Sequence, residues 1–199
     1  MRQEAMTYPK FVFVHLPKTG GSTFAKMLKR TYKHRMKIDT NPGPPKLPNY
    51  EQYHVICGTH IPWHKYDHMP LITFVRDPIE RVISHYFFFK GHDPNTGGWR
   101  RRKVNQENLT VGEFSAIVPN MMTYFAGSDP GRYQFIGVLE RWDESIQKFQ
   151  KLYGINLPVV EKVKVNRRNK EPVSAEDRTK IAVYQQEDIK LYERIINEF

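Results

Sequence analysis

The sequence predicts an α/β fold: a central parallel sheet flanked by helices, with P-loop-like connections. Three observations carry this. Short apolar runs of strand length (Phe11 to His15, Tyr53 to Cys57, Leu71 to Val75, Phe135 to Leu139) alternate with segments of helical periodicity. Two of those strands run straight into turns that open helices, Leu16 to Phe24 and Arg76 to Tyr86. Repeats, low-complexity tracts and a second domain are not visible in the pattern, so residues 1–199 are expected to form one domain.

Taken in order, the first strand is followed by a helix from near Ser22 to about Lys33, with Phe24, Met27, Leu28 and Tyr32 on its inner side. Asp39 to Pro48 holds four prolines and a glycine and reads as a loop. Tyr53 to Cys57 is the second strand, followed by Gly58-Thr59-His60, and Leu71 to Val75 the third. Pro78 takes the first position of the next helix, where its missing N–H costs nothing, and that helix continues to about Lys90. Gly91 to Asn108 is polar, with Gly97-Gly98 and the run Arg100-Arg101-Arg102-Lys103, and reads as a surface loop. Val111 to Phe125 is helical with a break near Pro119. Asp143 to Tyr153 is a helix stopped by Gly154. A single last helix begins at Ser174, which caps it with Asp177 three residues on. Its apolar face is Ile181, Tyr184, Ile189, Tyr192, Ile195 and Ile196.

Composition narrows the partners. The chain has 199 residues, 39% hydrophobic and 26% charged, ordinary for a packed domain, but a formal charge of +10 favours an anionic partner. One cysteine, Cys57, beside Val55-Ile56, excludes an internal disulfide and a cysteine metal cluster and reads as a buried thiol. No apolar stretch approaches the ~20 residues of a membrane span. Met1-Arg2-Gln3-Glu4 lacks the apolar core of a signal peptide, so a cytoplasmic location is expected.

In such sheets, ligands bind beyond the carboxyl ends of the strands, where both strand–turn–helix segments lie. In the first, Pro17-Lys18-Thr19-Gly20-Gly21-Ser22-Thr23 points backbone N–H groups and a helix N-terminus at one place. Gly20 and Gly21 allow close approach of an anion, Ser22 and Thr23 offer hydroxyls, and Lys18 adds a mobile charge. The lysine precedes the glycines, so the nucleotide-kinase pattern GxxxxGK[ST] is absent. In the second, Arg76 leaves the strand end able to fork two N–H groups onto a phosphate, and Ser84 lies two turns in, on one face with Arg81. Asp77 reads either as a helix cap or as an ion-pair partner of Arg76. Tyr86 to Phe89 reads as core packing. Two anion sites in this order imply a ligand with phosphates at both ends.

The two segments resemble the sulfotransferases that use 3′-phosphoadenosine 5′-phosphosulfate (PAPS). The resemblance is strongest to the carbohydrate branch, the heparan sulfate and uronyl 2-O-sulfotransferases. Weaker similarity runs through Arg100 to Lys103, Met121 to Phe125, Phe135 to Trp142 and the last helix. The resemblance implies that Lys18, Thr19, Gly20, Gly21, Ser22 and Thr23 bind the 5′-phosphosulfate and that Arg76 and Ser84 bind the 3′-phosphate. It further implies that Asn166, Arg167 or Arg168 reaches the nucleotide from a late loop, and that PAP is the product. Lys18 would stabilise charge on the leaving oxygen. His60, just past the second strand, is the candidate base for the acceptor hydroxyl, a role that an imidazole titrating near ~6.5 suits. The expected acceptor is a hydroxyl on an oligo- or polysaccharide, and the basic run Arg100 to Lys103 suits a polyanionic one. The anchored members of the branch are longer and carry a membrane anchor; this chain is compact.

Rival readings are weaker. His60, His64 and His68 are spaced by four, but Pro62 and Pro70 disrupt a continuous helix and no HExxH pattern is present, so no metal is expected. His15 is a second proton-transfer candidate beside the reading of a packed, hydrogen-bonded histidine. A small-molecule kinase, a nucleic-acid-binding module and a non-catalytic binder of anionic sugars are the alternative functions. The first lacks the GK[ST] loop and an evident magnesium-holding carboxylate. The second lacks a groove-reading helix or an aromatic platform.

Overall fold

The computed structural model describes residues 9–40, 52–66, 68–90, 93, 98–160 and 171–198. Among them are five strands, β1 (Phe11–His15), β2 (Met36–Asp39), β3 (Val55–Thr59), β4 (Leu71–Val75) and β5 (Tyr133–Val138). Eight α-helices accompany them: α1 (Gly21–Tyr32), α2 (Pro78–Lys90), α3 (Trp99–Gln106), α4 (Val111–Ala116), α5 (Met121–Ala126), α6 (Trp142–Tyr153), α7 (Ala175–Tyr184) and α8 (Gln186–Glu198). All strand pairs are parallel, in the order β2-β3-β1-β4-β5. The chain therefore leaves every strand at the same edge of the sheet, and β1 sits centrally, where successive connections turn to opposite sides.

β1 is buried on both faces, which is why it reads as a continuous apolar run rather than an alternating one. Phe11 and Phe13 pack with Phe24 and Leu28 of α1 and Phe149 of α6 on one face. Val12 and Val14 pack with Met122 and Phe125 of α5 and Leu191 and Ile195 of α8 on the other. A third cluster, Val82, Ile83 and Tyr86 of α2 with Val104, Phe114 and Ile181, joins α2, α3, α4 and α7 beside the sheet. The inner face expected for α1 is the buried one. Pro78 opens α2 as expected, and Gly154 ends α6 at φ 63 in the left-handed region that glycine adopts without strain.

Four expectations are corrected. β2 was not anticipated; it is a four-residue edge strand whose outer residue Ile38 is 48% exposed, too short for a periodic signal. The second expected strand lies two residues later, at β3, because Gly58 and Thr59 pair with Val14 and His15. The expected loop at Gly91 to Asn108 contains α3. Its apolar anchor is the fully buried Val104, and polar groups dock the rest: Arg100 Nε donates to the Ile117 carbonyl (3.2 Å) and Asn105 Nδ2 to the Phe89 carbonyl (3.2 Å).

The expected last helix is two helices. Gln185 at the junction is fully buried; its amide nitrogen donates to the Val118 carbonyl (3.2 Å), and its Oε1 accepts from the backbone N–H of Asn120 (3.1 Å). The helical phase changes there, so Tyr184, expected on the apolar face, is 42% exposed. The Ser174 cap forms as expected, accepting from the Asp177 N–H at 3.0 Å.

Candidate active site

The turn after β1 is built inward. Thr19 is fully buried, and its hydroxyl donates to the Leu16 carbonyl (3.1 Å), so what Thr19 has left to offer a ligand is its backbone. Lys18 (φ 68) and Gly20 (φ 84) both adopt left-handed backbone, and the Gly20 carbonyl accepts from the Thr23 and Phe24 N–H groups to start α1. The two glycines answer to packing as well as to close approach. A Cβ on Gly20 would lie 2.7 Å from Leu139, and one on Gly21 would collide with the His15 ring. Ser22 is half-buried at the first turn of α1, and Thr23 is buried.

Parallel pairing puts the end of β3 beside the end of β1, with His15 opposite Thr59. His60 follows at φ 57; its backbone N–H donates to the His15 carbonyl (3.2 Å), and the two rings lie 5.8 Å apart. His15 itself stacks on Phe13 at 5.5 Å, and Phe125 of α5 stands 6.2 Å from the His60 ring. His60 is exposed.

On the other side of β1, Arg76 leaves β4 and its Nη1 donates to the Lys18 carbonyl (3.3 Å). The two segments singled out in the sequence thus meet at one residue. Glu140, just past β5, supports Arg76 from behind. Its Oε1 lies 3.9 Å from Arg76 Nε and accepts from the Asp77 N–H (3.1 Å), while Oε2 accepts from the Tyr192 hydroxyl (3.1 Å). Burial pulls Arg76 down from the ordinary arginine value, and the Glu140 carboxylate opposes it. Asp77 is the helix cap: its Oδ1 accepts from the Glu80 N–H at 2.9 Å. Glu140 was missed from sequence. The signal was its place one residue after an apolar strand, at the edge where the other site residues gather.

Along α2, Ser84 is 8% exposed, while Arg81 on the same face is fully enclosed. Arg81 Nη2 donates to Gln185 Oε1 (2.9 Å) and lies 3.7 Å from Asp188 Oδ2, so it ties α2 to α8. Burial, offset by Asp188, brings its pKa down to about 10. Tyr86 is core as expected, and Phe87 and Phe89 pack at the edge of the α2 cluster. Phe88 departs from that expectation: the Lys18 ammonium sits 4.3 Å from its ring centroid.

The structure therefore brings Lys18, the Gly20–Thr23 turn, His60, Arg76 and, on α2, Ser84 to the carboxyl edge of the sheet. Asn166, Arg167 and Arg168 lie outside the described residues. His64 falls in a short 3-10 helix (Trp63–Tyr66) and His68 in a turn beyond it; both are exposed. Among the described residues no group of three or more His, Cys, Asp or Glu side chains is arranged to hold a metal. Cys57 is buried, which pushes its thiol up to about 11 and keeps it protonated at neutral pH. None of the described helices is long and apolar enough to cross a membrane.

The parallel α/β sheet thus carries a cationic turn after its central strand and an arginine after the neighbouring one. The chain belongs to the sulfotransferase family, whose sequence model matches residues 5–197. Solved structures are also similar, two of them as follows. A sulfotransferase from Alicyclobacillus acidocaldarius shares 14% identity over 96% of this chain and 97% of its own, with a TM-score of 0.51, a likeness of fold. Mouse sulfotransferase SULT7A1, solved in complex with PAP, shares 13% identity over 75% of this chain, with a TM-score of 0.43. The chain spans 60% of the length of that mouse protein. No curated protein sequence matches.

Proposed function

We propose that this protein transfers a sulfuryl group from PAPS to an acceptor hydroxyl on a carbohydrate. The observation that carries the reading is the hydrogen bond from Arg76 to the Lys18 carbonyl, which joins the turn suited to one phosphate end to the arginine suited to the other. The donor set fits such a ligand. Arg76 keeps part of its side chain exposed, Ser22 and Ser84 add hydroxyls, and the turn opens a helix N-terminus. Family membership supports the same chemistry.

In this reading PAPS supplies the activated sulfuryl group, and the protein supplies position and charge. The Gly20–Thr23 turn holds the 5′ end and Arg76 and Ser84 hold the 3′-phosphate; on resemblance alone, Asn166, Arg167 or Arg168 reaches the 3′-phosphate or the adenine. Lys18 places positive charge where the leaving oxygen gains negative charge. His60 accepts the hydroxyl proton, its backbone fixed by the His15 carbonyl. A polyanionic acceptor is supported by the basic run Arg100 to Lys103 on α3, which docks against α2.

A thermal-shift comparison of PAP, ATP and an oligonucleotide tests this. PAP at about 100 times its Kd stabilises by about 2.7 kcal/mol, or about 5–10 °C for a chain of this size. Stabilisation by ATP but not PAP would point to the kinase instead. His60→Ala is expected to bind PAP normally and lose transfer; unchanged transfer would remove His60 as the base.

A further inference from the structure

We infer that Phe88 is the positioning residue for Lys18, holding its ammonium on the face of α2 that also carries Ser84. This rests on the reading of Lys18 as the charge-stabilising group. Phe87 and Phe89 both pack at the edge of the cluster formed by α2, α3, α4 and α7, whereas the three core clusters among the described residues do not include Phe88. Positions 84 and 88 are one helical turn apart and share a face. The Phe88 ring presents its electron-rich face to the Lys18 ammonium at 4.3 Å.

The consequence follows from where the lysine is gripped. Its carbonyl accepts from Arg76 at 3.3 Å, and its ammonium rests on Phe88, so residues of one strand–helix segment hold both ends of it. A free lysine side chain explores many rotamers, and each is entropy to be lost when the charge must stand at one oxygen. The ring selects the rotamers that keep the ammonium over it before the donor arrives. Phe88 touches neither donor nor acceptor in this account; it acts through Lys18.

The test is a double-mutant cycle with Phe88→Leu, Phe88→Tyr, Lys18→Ala and the Phe88→Leu/Lys18→Ala pair. Release of PAP from PAPS is followed with water alone and with a desulfated heparan oligosaccharide. Phe88→Leu is expected to lower kcat about twofold to thirtyfold with KM for PAPS little changed, and Phe88→Tyr to stay within about twofold of the wild type. In the Lys18→Ala background Phe88→Leu should cost nothing further.

A second readout is independent of turnover. The ε-methylene proton resonance missing from Lys18→Ala should lie upfield from ring current and return towards its ordinary position in Phe88→Leu. Wild-type kcat in Phe88→Leu, an equal loss in both backgrounds, or an unshifted lysine resonance overturns the inference. If Phe88→Leu fails to fold, the lysine resonance and a low kcat in a folded Phe88→Tyr decide against it in the same way. Full activity in Lys18→Ala, or no PAP release from the wild type, overturns the underlying reading instead.

Discussion

Replacing Asp188 by alanine would strand the guanidinium of Arg81 in the interior between α2 and α8. Both side chains are fully buried, and Arg81, with a pKa of about 10, is charged at neutral pH. Removing one partner of a buried ion pair costs about 3–5 kcal/mol, because the other charge has lost both water and its counter-charge. Asp188 also accepts from the Met122 and Thr123 N–H groups at 2.9 and 2.7 Å, and these orphaned amides place the cost at the upper end of that range. For a domain of this size, such a loss lowers Tm by about 10–20 °C.

The assay is thermal unfolding at pH 7 followed by circular dichroism, alongside the double variant Arg81→Met/Asp188→Leu. The double variant should recover much of the loss, since no charge remains to be countered. A drop under about 4 °C for Asp188→Ala, or a double variant no better than the single, would refute the account of Arg81 as a buried charge held by Asp188.

Arg76→Ala should weaken PAP binding about 100-fold by calorimetry, as two charge-assisted hydrogen bonds are lost, and Glu140→Gln should weaken it less, by loosening Arg76. A Glu140→Gln variant weaker than Arg76→Ala would mean that Glu140 does more than support it. His85 is held well below the ordinary histidine value, first by burial and then by the positive charges of Arg81, Lys18 and Arg100 nearby. The unfolded chain binds a proton there below about pH 6.5 and the folded one does not, so stability should be lost as pH drops below that value, by up to about 1.4 kcal/mol per unit, and be regained as pH rises. His85→Phe should flatten that slope in pH-dependent denaturant melts; an unchanged slope would assign it to other groups.

How much of this was legible in the sequence depended on whether the signal was local. β1, β4 and the start of α2 were readable because full burial gives unbroken apolar runs and Pro78 marks a helix start. The placement of Lys18, Arg76, Ser84 and His60 at the carboxyl edge was readable because each follows a strand end, while the roles given to them come from the resemblance. β2 was hidden because a four-residue edge strand is half solvent-facing. α3 was hidden because one valine and several polar side chains dock it.

The break between α7 and α8 depends on Gln185, whose hydrogen bonds reach residues about 65 or more positions away in the chain. Glu140 behind Arg76, His15 against Gly21 and Phe88 beneath Lys18 likewise exist only once the strands are aligned. Phe88 in particular reads as one more apolar residue in an aromatic run until its neighbours on α2 turn inward.

Calorimetric titration of PAP into the folded protein tests the two-ended phosphate site most directly. The account predicts saturable binding of one nucleotide per chain, weakened strongly by Arg76→Ala. Absence of heat with the wild type, or equal heat with Arg76→Ala, would contradict it.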